Sequence, residues 1–193
     1  QTDLVCRLFR NRPGYRFRRA LHEQVIDQIL AQAGPQAVKI APIRILHYGY
    51  LAPVATAKGK AERNLAIIER ELASDPENCY LRYSLGVELL NRGAYREALE
   101  EFRRAHRPSA PYTSDLVLKT AVCLQALKCT DRALGLLETA ARRWPEFTDL
   151  YYLAGEIALE QKEYRRAATA FRRCLDLGDA PPGYCSTAGA GSF

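Results

Sequence analysis

Methionine is absent from this 193-residue chain and tryptophan occurs once. A chain that opens on Gln and holds no Met reads as a fragment of a longer protein. No run of eighteen apolar residues exists, so nothing in the sequence spans a membrane. No signal peptide is visible either, because QTDLVCRLFR carries charge inside the would-be apolar stretch. The six cysteines, Cys6, Cys79, Cys123, Cys129, Cys174 and Cys185, include no Cys-x-x-Cys pair and so argue against a metal site. Cys79, Cys123 and Cys174 fall in helical patterns and read as reduced, small core residues of a cytoplasmic protein. No serine has a nucleophile's His/Asp context, and GAGS at 189–192 follows no strand that would make it a phosphate loop. No catalytic residue is expected in this chain.

What is present is a hydrophobic fraction of 48%, enough for one domain or two small ones, and a net charge of +6. Much of that charge is Arg7, Arg10, Arg12, Arg16, Arg18 and Arg19. Such a cluster fits a solvated face or ion pairs better than phosphate contacts. No aromatic-rich signature accompanies it, so nucleic acid is not the expected partner.

The strongest pattern is a repeat. GAYREALEEFRRA at 93–105 and EYRRAATAFRRC at 163–174 are nearly one phrase, with a weaker copy, TDRALGLLETA, at 130–140. Ala98, Ala133 and Ala167 are equivalent, at spacings of 35 and 34. Phe102, Leu137 and Phe171 follow by four, and Ala105, Ala140 and Cys174 by three more. That places small, large and small side chains on one helix face. Twelve residues before each Ala stands Gly86, Ala121 or Gly155. Pro76, Pro111 and Pro145 mark the joins, where proline can start a helix but not continue one. Each unit therefore reads as helix, tight turn, helix.

These units resemble the tetratricopeptide repeat (TPR) family. Leu85, Gly86, Ala98, Phe102 and Ala105 carry the resemblance in the first unit, and Ala154, Gly155, Tyr164, Ala167 and Phe171 in the last. The middle unit has Thr120-Ala121 in place of Leu-Gly, and Arg82 and Tyr151 stand where the family has an early Trp. The expected fold is mainly α: a TPR-type helical-repeat superhelix with a small N-terminal α/β remnant. The expected divisions are the remnant over 1–55, a linking helix over 56–78, three repeats over 79–179 and a flexible tail or linker over 180–193.

Residues 1–50 do not repeat. LVCRLFR and IRILHYGYL alternate like strands, NRPG is a turn, and YRFRRALHEQVIDQIL becomes helical around His22. Two strands around a helix cannot bury their apolar faces alone, so the segment looks like the edge of a larger α/β domain. It resembles the end of the catalytic domain in bacterial family 2 glycosyltransferases that carry C-terminal TPRs. Phe17, His22 and Glu23 match one phrase of that family, His47, Gly49 and Tyr50 a second, and Lys60, Arg63 and Asn64 a third; Arg19 replaces a family Gly. The resemblance implies a parent transferase that uses a divalent metal and a nucleotide sugar, with a missing N-terminal catalytic domain as neighbour. The metal's Asp-x-Asp is absent here, so this chain needs no cofactor of its own; a late His of that fold makes His22 a candidate metal ligand.

The TPR resemblance also implies a groove lined by the first helices. By family position its lining is Tyr80, Tyr83, Val87 and Leu90, then Asp115, Leu118, Val122 and Gln125, then Asp149, Tyr152, Glu156 and Leu159. The groove would be aromatic at one end and acidic at the other. It would suit a peptide, protein or glycan acceptor, or would pack on a missing domain. The expected function is a recognition scaffold in such a transferase; the alternative is a free-standing TPR adaptor with no enzymatic parent.

Overall fold

The computed structural model describes residues 6, 8–17, 24–39, 41, 60–178, 181 and 184. The chain forms two compact units, Leu4–Pro76 and a larger one from Glu77 onward. In the smaller unit, α1 (Ile26–Ala33) is followed by a 3-10 turn at Pro35–Ala37, and α2 spans Lys60–Ser74. Gly34, at φ +73°, ends α1, where a left-handed residue costs glycine nothing. The strand expected over 4–10 is not formed at the described residues there; an alternating run needs a paired neighbour to become a strand. Leu8 stands exposed, and Phe9 packs edge-on against Phe17 at 5.9 Å. The second expected strand, at 43–51, lies outside the described residues, as do His22 and His47.

Among the described residues the larger unit holds six helices in three antiparallel pairs. These are α3 (Cys79–Asn91) with α4 (Tyr95–Ala105), α5 (Thr113–Ala126) with α6 (Thr130–Arg143), and α7 (Thr148–Glu160) with α8 (Tyr164–Leu177). Each helix packs most closely on its pair partner and then on the next pair, as in a stacked repeat. No strand occurs among the described residues.

The turns inside the pairs are built alike. Ala94, Cys129 and Glu163 each donate a backbone N–H to a carbonyl five residues back, at 2.8–3.0 Å. Each such closure needs one residue in the left-handed region just before it. Gly93 supplies it at φ +77°, while Lys128 and Lys162 hold it at +61° and +63° with a Cβ in place.

The core explains the repeat's signature. Ala98, Phe102 and Ala105 of α4 are buried, as are Ala133, Leu137 and Ala140 of α6. A Cβ added to Gly86 would lie 2.5 Å from Phe102 Cε1, and one on Gly155 would lie 2.6 Å from Phe171 Cε1. Carbon atoms pack at about 3.5–4.0 Å, so a methyl cannot share the space with either ring. In the middle unit the ring gives way to Leu137, and the first helix carries Ala121 instead of glycine; both are buried. Glycine thus goes with phenylalanine and alanine with leucine, which keeps the combined volume of each contact nearly constant.

The substitutions for the early Trp work differently in each unit. Arg82, on α3, pairs with Glu101 of α4 at 3.0 Å, with side chains 13% and 14% exposed. Tyr151 on α7 lies 5.7 Å beneath the Arg173 guanidinium of α8, and its hydroxyl donates to Pro145 O at 3.1 Å. The position keeps its task of tying first helix to second, with charge or ring face in place of the indole.

Candidate functional site

The first helices α3, α5 and α7 carry the candidate groove residues. Tyr80 and Tyr83, one turn apart on α3, set their rings 6.2 Å apart. Tyr112, just before α5, completes a cluster: it stacks on Tyr83 at 4.7 Å and 19°, and lies 5.9 Å from Tyr80. All three are half-buried. The Tyr112 hydroxyl donates to Ala105 O at 3.1 Å, and burial raises its pKa above the usual phenol value.

Below the rings lies a charge network. The Tyr83 hydroxyl donates to Asp115 Oδ2, and Lys119 Nζ donates to Asp115 Oδ1 at 2.7 Å. Asp115 is 1% exposed. Its carboxylate therefore joins two repeats from inside and does not line an open groove. Burying it is tolerable because an ammonium one turn away and a hydroxyl from the neighbouring repeat both serve it.

Burial divides the other candidates. Leu118, at 4%, belongs to the core, and Asp149 is 3% exposed, so neither offers a face to solvent. The middle first helix is covered by both neighbouring first helices, which draws positions such as Leu118 inward. Val87, Val122, Tyr152 and Glu156 remain half-buried. Tyr152 packs against Phe171 at 5.8 Å. Burial and the charge of Glu160 raise the Glu156 pKa above the ordinary carboxylate value, against a lowering contribution from Tyr152. The Glu156 charge in turn raises Tyr152. Gln125 bridges to this acidic end, donating to Glu160 Oε1 at 3.0 Å.

Sequence reasoning missed Tyr112 and Lys119. Tyr112 lies outside the family's groove positions, and only its place beside Pro111 marked it. Lys119 follows Asp115 by four, the helical ion-pair spacing, and that signal was legible. The candidate metal ligand His22 lies outside the described residues, and among those described no group of three or more His, Cys, Asp or Glu comes together to hold a metal. Cys6, Cys79, Cys123, Cys129 and Cys174 are free. Cys123 and Cys174 are buried, which pushes both thiols up to about 11, whereas Cys79 sits half-buried at the start of α3.

Residues 128–183 match the family model of the tetratricopeptide repeat. The helical array is a tetratricopeptide-repeat fold. A TPR repeat-containing protein of Synechococcus elongatus is 30% identical over 183 residues, a match that takes in 86% of this chain and 45% of that protein. The chain thus spans about half the length of the curated relative it matches. Among solved structures, MamA superposes with a TM-score of 0.55 at 16% identity, over 69% of this chain and 76% of that one. The MSR-1 form of MamA gives 0.54 at 18% identity, over 64% and 71%. At such identities the likeness is one of fold. No helix among the described residues is long and apolar enough to cross a membrane.

Proposed function

We propose that this TPR array is a protein-interaction module of the adaptor kind, which takes an extended partner segment along the edges of α3, α5 and α7. The observation that carries the reading is the cluster of Tyr80, Tyr83 and Tyr112: three rings in mutual contact, half-exposed at the array's surface. Ring faces of this kind accept proline, aliphatic side chains or a sugar. Further along, Glu156 and the exposed Glu160 would attract a basic residue. The partner is thus apolar at one end and basic at the other. The free cysteines suit a reducing compartment, the cytoplasm.

The scaffold of a family 2 glycosyltransferase is the weaker reading. The family match falls on the repeats, and the curated relative is named for its repeats. The relative's match takes in 86% of this chain, and neither comparison points to a transferase, so the metal and the nucleotide sugar of such an enzyme find no support.

The test is a peptide selected from a random display library against the whole chain, then measured for affinity by calorimetry. Tyr80→Ala should weaken it more than tenfold if the ring is an anchor. Glu156→Lys, at a half-buried surface position, should weaken a basic peptide as well. Selected peptides that bind both variants with unchanged affinity would remove this face from consideration.

A further inference from the structure

A cleft opens at the turns between repeats. Its walls are the Pro108–Pro111 turn and the start of α5 on one side, Trp144 and Glu146 on the other, and Pro181 and Tyr184 at the end. Tyr184 is held flat against Phe147, at 4.9 Å and 9° between planes. The Arg143 guanidinium lies 5.0 Å over the Trp144 ring and donates to Pro108 O at 2.7 Å, which ties the two walls together.

Three groups of this cleft meet no partner among the described residues. Ser114 is 6% exposed, yet its hydroxyl has no hydrogen-bond partner among the described residues. Among those residues no fully enclosed polar side-chain atom lacks a partner, so this hydroxyl is not fully enclosed, and Ser114 lines the cleft. Trp144 is half-buried, and its indole N–H has no acceptor among the described residues. Glu146 is exposed and in no ion pair among them, while Arg143 is engaged by a carbonyl and a ring. Two donors and one negative charge without partners among the described residues, set between aromatic and proline walls, describe a ligand.

That ligand needs carbonyl acceptors turned outward, flat apolar rings and a positive charge. A polyproline II strand has no internal hydrogen bonds and presents its carbonyls to whatever lies alongside. Such strands dock in aromatic-lined grooves. An anion fits less well, because Glu146 would repel it. We infer that the cleft between the repeat turns, with Ser114, Trp144 and Glu146, is a second recognition site, which takes a proline-rich segment bearing a lysine or arginine. None of Tyr80, Tyr83 and Tyr112 lines it, so the two sites can be tested apart.

Trp144 is the only tryptophan of the chain, so its fluorescence reports on this cleft alone. The probe is a synthetic peptide of about ten residues, prolines with one lysine, titrated into the full chain. The expected result is a saturable change in Trp144 emission. Ser114→Ala and Glu146→Gln should each raise the Kd by about three- to tenfold, and Tyr80→Ala should leave it unchanged. Glu146 is exposed, so its variant reads binding even if Ser114→Ala disturbs α5. A lysine-bearing Gly-Ser peptide of equal length should give no saturable change. The inference is overturned by no saturable response to the proline peptide, by an equal response to the Gly-Ser peptide, or by a Kd that neither cleft variant moves. Loss of binding in Tyr80→Ala with the cleft variants silent would also overturn it, and would return the peptide to the first-helix face.

Discussion

Replacing Gly86 with alanine sets two known effects against each other, and the structure says which wins. In an open helix the change should stabilise by about 1 kcal/mol, because glycine is the poorer helix former. At this position the new methyl would stand 2.5 Å from Phe102 Cε1 and 2.6 Å from Cδ1. Phe102 is 1% exposed and cannot swing out of the way. Overpacking of this kind costs about 1–3 kcal/mol. The net expectation is destabilisation of up to about 2 kcal/mol, or a fall in Tm of roughly 2–4 °C per kcal/mol for a chain of this size. Phe102→Leu alone should cost about 1–2 kcal/mol through lost burial. The double variant re-creates the Ala121–Leu137 pair of the middle repeat, so it should be more stable than the sum of its parts by about 0.5–3 kcal/mol. Urea unfolding of the four proteins gives the cycle directly. Ala121→Gly is the control: it should lose about 1 kcal/mol with no clash to relieve. If Gly86→Ala stabilises the chain, or if the two substitutions add without coupling, the paired-volume account of the repeat is wrong.

Lys162→Gly should stabilise by about 1 kcal/mol, since it removes a Cβ from a left-handed residue whose side chain is exposed; urea unfolding would show it. Ala98→Leu and Ala167→Leu should each cost about 1–3 kcal/mol at buried helix contacts, read as a lowered melting temperature. Glu156→Gln should stabilise the fold at neutral pH and not in acid. The folded state holds the proton more tightly than the unfolded chain does, so the native residue loses stability as pH rises through the window just above 4.5. Denaturant midpoints of both proteins across pH 4 to 8 should therefore diverge upward.

The repeat was legible because its signposts are also its contacts. Gly86, Ala98 and Phe102 recur at fixed spacing because they touch, and any change at one is answered at another. Gly86 lies on α3, and Ala98 and Phe102 on α4. The groove was less legible. Family position alone assigned Asp115, Leu118 and Asp149 to a surface, but burial in a stack depends on neighbours from other repeats, which no single unit's sequence encodes. The ring at Tyr112 escaped for a related reason: it sits in a join, where the period breaks. Alternation in LVCRLFR promised a strand that did not form at its described residues, because the pattern states a preference for pairing and says nothing of a partner.

Asp115 and Asp149 are equivalent residues of successive units, 34 apart, and both are buried. A natural or engineered loss of one whole repeat between them would slide Asp149 into the place where the Tyr83 hydroxyl finds its acceptor. The same slide would bring Leu153 to the place of Lys119, and the carboxylate would keep its hydroxyl but lose its ammonium. Length variation in this array is therefore graded: the joint between units survives the deletion of a module, but with one charged partner fewer.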